Sequence, residues 1–152
     1  MCRIKIFVLF FFAVSGLIAQ NPQADNINIH KLYKSWKLTG RRFPDSTVTF
    51  AAVKNEDKKG VYYAYTFKKT GELVYNENWP GNTRKCGVGA SYYESGCKWK
   101  VKDNNIINVF ITGGGLDQDG SFCYDLDYRI TLLSDDKMEL KLVKVYRMES
   151  AY

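Results

Sequence analysis

Between Ser121 and Leu133 the chain reads SFCYDLDYRITLL, with a large apolar or aromatic residue at every second position. Phe122, Tyr124, Leu126, Tyr128, Ile130 and Leu132 fall on one side of an extended backbone; Cys123, Asp125, Asp127, Arg129 and Thr131 fall on the other. Side chains alternate across a strand, so a segment this regular has one face in a core and one in water. The same period of two runs through the chain from Trp36 on and predicts eight strands, roughly 34–41, 47–54, 61–68, 72–79, 97–102, 105–112, 121–133 and 137–147. Val61, Tyr63, Tyr65 and Phe67 share the inner face of the third. Met138, Leu140 and Leu142 share that of the last, where Val143 and Val145 change parity and call for a bulge.

The links are tight. Lys68-Lys69-Thr70-Gly71, Lys102-Asp103-Asn104-Asn105 and Ser134-Asp135-Asp136 are rich in residues that tolerate turn backbone. Consecutive antiparallel strands with such links make a meander, and eight can close into an up-and-down barrel without exposed edges. A two-sheet sandwich suits the uninterrupted order less well. No long helical pattern intervenes, which excludes an α/β fold; Ile29 to Tyr33 make at most one helical turn.

The start of the chain has a different character. Arg3 and Lys5 precede an apolar run from Ile6 to Ala19. That run is shorter than the ~20 residues a membrane-spanning helix needs, and it has the build of a secretory signal. The expected organisation is a signal peptide over 1–19, a polar lead over 20–33 and a β-barrel domain over 34–152, in a protein exported to the periplasm or secreted. The formal charge of +6 drops to +4 without the signal, with lysines scattered, which does not point to nucleic acid. His30 is the only histidine, which removes His-rich zinc sites and the Ser-His-Asp triad. No metal, cofactor or catalytic group is expected, and the chain reads as a non-enzyme.

Several segments match a known family in order and spacing: Lys34-Ser35-Trp36-Lys37-Leu38, Tyr65 to Leu73 across a hairpin, Trp99 to Ile106, and Tyr128 to Leu133 leading to Met138-Glu139-Leu140. Through these the chain resembles the lipocalin-like domains of exported bacterial proteins, within the wider lipocalin and fatty-acid-binding group. The resemblance implies an eight-stranded barrel able to hold a small ligand. It also implies a basic side chain packed on the first-strand Trp36, for which Arg147 and Lys144 both qualify. Lys34 stands where the family usually has glycine.

In an up-and-down order the links at 42–46, 68–71, 102–105 and 134–136 share one end, and those at 55–60, 80–96 and 113–120 share the other. The longest loops then lie opposite the mouth. Cys86, Cys97 and Cys123 all map to the long-loop end. Cys97 and Cys123 sit two strands apart, about 9.6 Å, beyond disulfide reach. Cys86 can reach either, with Cys86–Cys97 preferred because it closes the shorter loop. In Gly113-Gly114-Gly115-Leu116-Asp117-Gln118-Asp119-Gly120, neither a phosphate cradle nor the full calcium-loop spacing is present, so a hairpin turn with solvated acids is expected. Asp125 and Asp127, with Lys98 and Lys100, read as a solvated outer face.

Tyr63, Tyr65, Phe67, Tyr75, Trp79, Trp99, Phe122, Tyr124 and Tyr128 share an inward parity. An interior of this size is either filled by such side chains or holds one small guest. Buried phenols need polar partners, which they find in one another, in water or on a guest. Two functions follow. One is a binding protein for a small apolar or amphipathic ligand, with Tyr63, Tyr65, Trp99, Tyr124 and Tyr128 lining the site. The other is a filled scaffold that meets a protein partner through the 80–96 and 113–120 loops, where Trp79, Tyr92 and Tyr93 are natural anchors.

Overall fold

The computed structural model describes residues 27–80, 92–103, 105–115 and 120–150. Strands form close to where the alternation places them: β1 Ser35–Leu38, β2 Thr47–Ala52, β3 Tyr62–Phe67, β4 Leu73–Asn78, β5 Tyr92–Glu94, β6 Lys98–Asp103, β7 Ile106–Gly115, β8 Ser121–Leu133 and β9 Lys137–Ser150. The N-terminal turn is a 3-10 helix, Ile29–Leu32, capped where Asn28 Oδ1 accepts from the His30 N–H at 3.1 Å. A second 3-10 turn spans Asn55–Lys59. Apart from these two turns, the regular structure described is all β, and every pairing is antiparallel.

Nine strands fill eight places in one sheet, in the order β4-β3-β1-β2-β9-β8-β7-β5, with β6 also on β7. β5 and β6 lie end to end along β7, Glu94 opposite Gly113 and Lys98 opposite Phe110. Gly96, at φ 65°, lies in the break between them. β5 lies inside the segment 80–96 expected to be a loop, and Gly113–Gly115 belong to β7 rather than to a hairpin turn. Glycines carry no side chain, so the period-two signal is blank there. Asp117 and Gln118 lie outside the described residues, as does Asp119.

The up-and-down order does not hold. β1 sits between β2 and β3, with Trp36 opposite both Ala52 and Tyr65. β2 and β3 therefore run the same way, and the link through Asn55–Lys59 crosses from one end of the sheet to the other. Lys37 on β1 forms an ion pair with Asp57 of that link. Its hydrogen bond, with a further one from the Lys54 N–H, holds the half-buried Asp57 carboxyl below its ordinary range. Alternation reports which face a residue occupies, not which strand is its neighbour, so this swap leaves no trace in the sequence. Its consequence is large: the 39–46 link lies at the same end as the exits of β4 and β7, not opposite them.

The sheet curls until its ends touch. The Trp99 N–H donates to Gly71 O at 2.8 Å and the Leu73 N–H to Cys97 O at 3.1 Å, with Glu72 facing Lys98. The expected turn at 68–71 closes tightly, with the Gly71 N–H on Lys68 O at 3.0 Å. Gly71 has φ 84°, and a Cβ there would stand 3.2 Å from Trp99 O. Positive φ and the close strand together demand glycine.

Trp36, Val48, Phe67, Ile107, Leu126 and Leu140 are among the buried residues lining the concave face. Burying such side chains stabilises the fold by about 1.5–3 kcal/mol each. On β8 the alternation holds through Leu126, Tyr128 and Ile130; a register break between Ile130 and Leu132 then leaves Leu132 46% exposed and brings Leu133 against the core. On β9 the expected bulge is found, as two register breaks opposite Asp125–Leu126 and Asp127–Tyr128, yet Val143 and Val145 stay exposed because β2 begins only at Thr47, opposite Lys141. Val61 precedes β3 and is 51% exposed rather than inward. No helix among the described residues is long and apolar enough to cross a membrane.

Candidate functional site: the Glu94 corner of the concave face

Trp36 is fully buried, its Nε1 donating to Leu32 O at 3.1 Å. The cation over its ring is Lys34, with Nζ 4.5 Å from the centroid. Neither basic residue expected there takes that place: Lys144 lies over Tyr146, and Arg147 pairs with Glu149. Lys34 is two residues before the tryptophan and so shares its face of the strand.

The five expected ligand-contact residues divide into two groups. Trp99 and Tyr128 are built into the core. Trp99 Nε1 donates to Lys68 O at 3.0 Å, and the ring meets Phe67 at 5.3 Å. Tyr128 is fully buried and donates to Asp45 O at 2.7 Å; burial, then the Asp45 charge, pushes its phenol well above the ordinary range. Phe43, from the 39–46 link, stands between Tyr128 and Tyr65, 5.1 Å from both rings. Part of the expected interior is therefore occupied by Phe43 of the chain's own first link.

The other three stand nearer the long-loop end. Tyr63 is 40% exposed, parallel to Tyr75 at 6.4 Å and edge-on to Trp79 at 6.3 Å. Tyr124 is half-buried and stacked on Phe122 at 5.2 Å. Tyr65 is buried, 5.3 Å from Tyr75, and its hydroxyl donates to Glu94 Oε1 at 2.5 Å.

Glu94 is the residue that sequence reading missed. It ends β5, and its direct neighbour on β7 is Gly113, followed by Phe122 on β8. Directly opposed residues share a face, so Glu94 stands on the concave side beside a position that presents no side chain. Burial pushes its carboxyl up to about 7, against the lowering effects of the Tyr65 hydrogen bond, Cys97 and the charge of exposed Arg42. No lysine or arginine nitrogen among the described residues forms an ion pair with it. Across from it, β4 points Tyr75, Glu77 and Trp79 to the same side; Glu77 accepts from Tyr75 OH at 3.0 Å and from Trp79 Nε1 at 2.9 Å.

Cys97 is a free, buried thiol, 3.8 Å from Glu94 Oε2, and burial raises it to about 11, which makes it a poor nucleophile at neutral pH. Cys123 is also free, and β7 separates β8, which carries it, from β6, which Cys97 precedes. Cys86 lies outside the described residues, so the expected Cys86–Cys97 bridge has only one partner in view.

On the convex side, Asp127 is buried rather than solvated. It accepts from Lys102 Nζ at 2.8 Å, Tyr146 OH at 2.9 Å and Asn108 Nδ2 at 3.0 Å. Burial raises its pKa, but these bonds outweigh it and hold the carboxyl below the ordinary range. The described residues contain no group of three or more side chains able to hold a metal ion. No family model, curated protein or solved structure matches the chain.

Proposed function

We propose that this is an exported, lipocalin-like binding protein whose curled sheet holds a small apolar or amphipathic molecule on its concave face. The observation that supports the reading is the aromatic cluster on β3 and β4, which runs from the buried Tyr65, bonded to Glu94, to Tyr63 at the surface, 40% exposed. Tyr63, Tyr65, Tyr75 and Trp79 supply apolar area, and Tyr124, stacked on Phe122, shares the concave face on β8. Trp99 and Tyr128 serve as the floor, with their polar atoms bonded inside the protein. Phe43, packed against Tyr65 and Tyr128, takes up part of the space a barrel-like interior would offer a guest.

Native mass spectrometry of protein purified from its own source tests this reading. A retained small molecule, lost after Tyr63→Ala and Trp79→Ala, is the expected result. A bare protein that also ignores a panel of apolar probes would transfer the assignment to the filled scaffold, with partners sought at 80–96 and 113–120.

A further inference from the structure

We infer that the free edge of β9 pairs two copies of this chain, strand against strand, about a two-fold axis between Tyr146 and Arg147, with Val145 of each copy opposite Met148 of the other.

The edge is long and bare. β2 pairs with β9 only from Lys137 to Lys141, and the last bond across is that of the Leu142 N–H to Ser46 O at 2.8 Å. From Val143 to Ser150, β8 is the only strand paired with β9 among the described residues. Val143, Val145, Tyr146 and Met148 are each close to half exposed. Unpaired backbone groups along such an edge are a template for another strand, and many proteins blunt them with charges or a bulge.

Here the bulge at Tyr146 makes the edge complementary to itself. Lys144 lies opposite Asp127, Arg147 opposite Asp125 and Glu149 opposite Cys123, so all three stand on the convex face. Tyr146, the extra residue, joins them, its hydroxyl donating to Asp127 at 2.9 Å. Val145 lies opposite Leu126 and Met148 opposite Tyr124, on the concave face. From Lys144 to Glu149 the faces run convex, concave, convex, convex, concave, convex, the same in either direction. A regular strand would send Lys144 and Glu149 to opposite faces. With the bulge, β9 can meet its own copy antiparallel with every opposed pair on one side of the sheet.

The side chains match in that register. Lys144, which forms no ion pair among the described residues, stands opposite Glu149 of the second copy. Val145 stands opposite Met148, covering two exposed apolar groups, and Tyr146 opposite Arg147. Each pair occurs twice. A slip of one residue would set convex side chains against concave ones. The backbone agrees. Leu142, Val145 and Met148 share the concave face, so the N–H of the latter two point away from β8, as that of Leu142 does toward Ser46. Val145 and Met148 of opposite copies can then exchange both backbone bonds. So short an edge makes a weak dimer, in the micromolar range.

Light scattering on the exported chain from about 1 to 100 µM reads the mass directly. A rise from monomer to dimer is expected. Carbodiimide treatment of mixed isotope-labelled and unlabelled chains should link Lys144 of one copy to Glu149 of the other, seen as mixed-label peptides by mass spectrometry. Val145→Pro removes an N–H that faces the copy and spares the β8 ladder, so it should weaken the dimer at least tenfold with circular dichroism unchanged. If that variant does not fold, Met148→Lys, which sets a charge against Val145 of the copy, is expected to do the same. A monomer throughout the range would overturn the inference. So would a dimer indifferent to these variants, or one whose mixed-label links join other residues.

Discussion

Asp127 and Glu94 are both acids drawn out of water by the same sheet, one on each face, and they end in opposite states. Asp127 has a cation, a phenol and an amide gathered round it, Lys102, Tyr146 and Asn108, and is held ionised. Glu94 has one phenol, a thiol and the charge of Arg42, and burial wins. Desolvation acts on both; the difference is whether enough compensating bonds come from inside the chain. An acid whose partners are built in joins strands together. An acid whose bonds do not outweigh its burial costs stability in its ionised form.

The comparison breaks most visibly if Asp127 is made to resemble Glu94. Lys102→Met removes its cation and keeps the apolar stem. Urea unfolding should show the midpoint falling at pH 7 and largely recovering near pH 4, where the carboxyl can protonate. An unchanged midpoint would mean that Tyr146 and Asn108 suffice.

The converse change relieves Glu94. Its folded pKa is raised, so the native state holds the extra proton between about 4.5 and 7, and stability falls as pH rises through that window. Glu94→Gln should flatten that slope and add on the order of 2 kcal/mol at pH 8, relative to its effect at pH 5. A variant with the same pH profile as the parent would show that the carboxyl is not strained by burial.

Smaller changes sharpen the contrast. Tyr65→Phe removes a hydrogen bond to the charged form of Glu94 and should move its titration further up, with about 1 kcal/mol lost at pH 8; carboxyl NMR shifts would report it. Tyr146→Phe should cost only about 0.5 kcal/mol, because Lys102 and Asn108 still hold Asp127. A larger loss in thermal unfolding would make Tyr146 the main support.

Much of this fold is legible in the sequence because alternation is long on β8 and β9 and the turns at 68–71 and 134–136 carry the right residues. Neighbour order was not legible. β1 has four residues, and nothing in SWKL tells whether its second partner is β3 or another strand. That single ambiguity put the 39–46 link at the wrong end and hid Phe43 as the plug between Tyr65 and Tyr128. The site was half legible. Glu77 shares parity with Tyr75 and Trp79 and could have been read with them. Glu94 could not, because a strand of three residues facing glycines shows no period. Asp127 was misread for a related reason: parity places it on the convex face, but only the tertiary fold brings Lys102, Asn108 and Tyr146 over it.

A carbon-detected NMR titration of the side-chain carboxyls, run on the exported protein without added ligand, compares the two acids directly. Glu94 is expected to titrate near 7 and Asp127 below 3.8, in the same sample. A Glu94 carboxyl that titrates near 4.5, like a glutamate in water, would contradict the account, because the concave face would then hold no buried acid short of a partner.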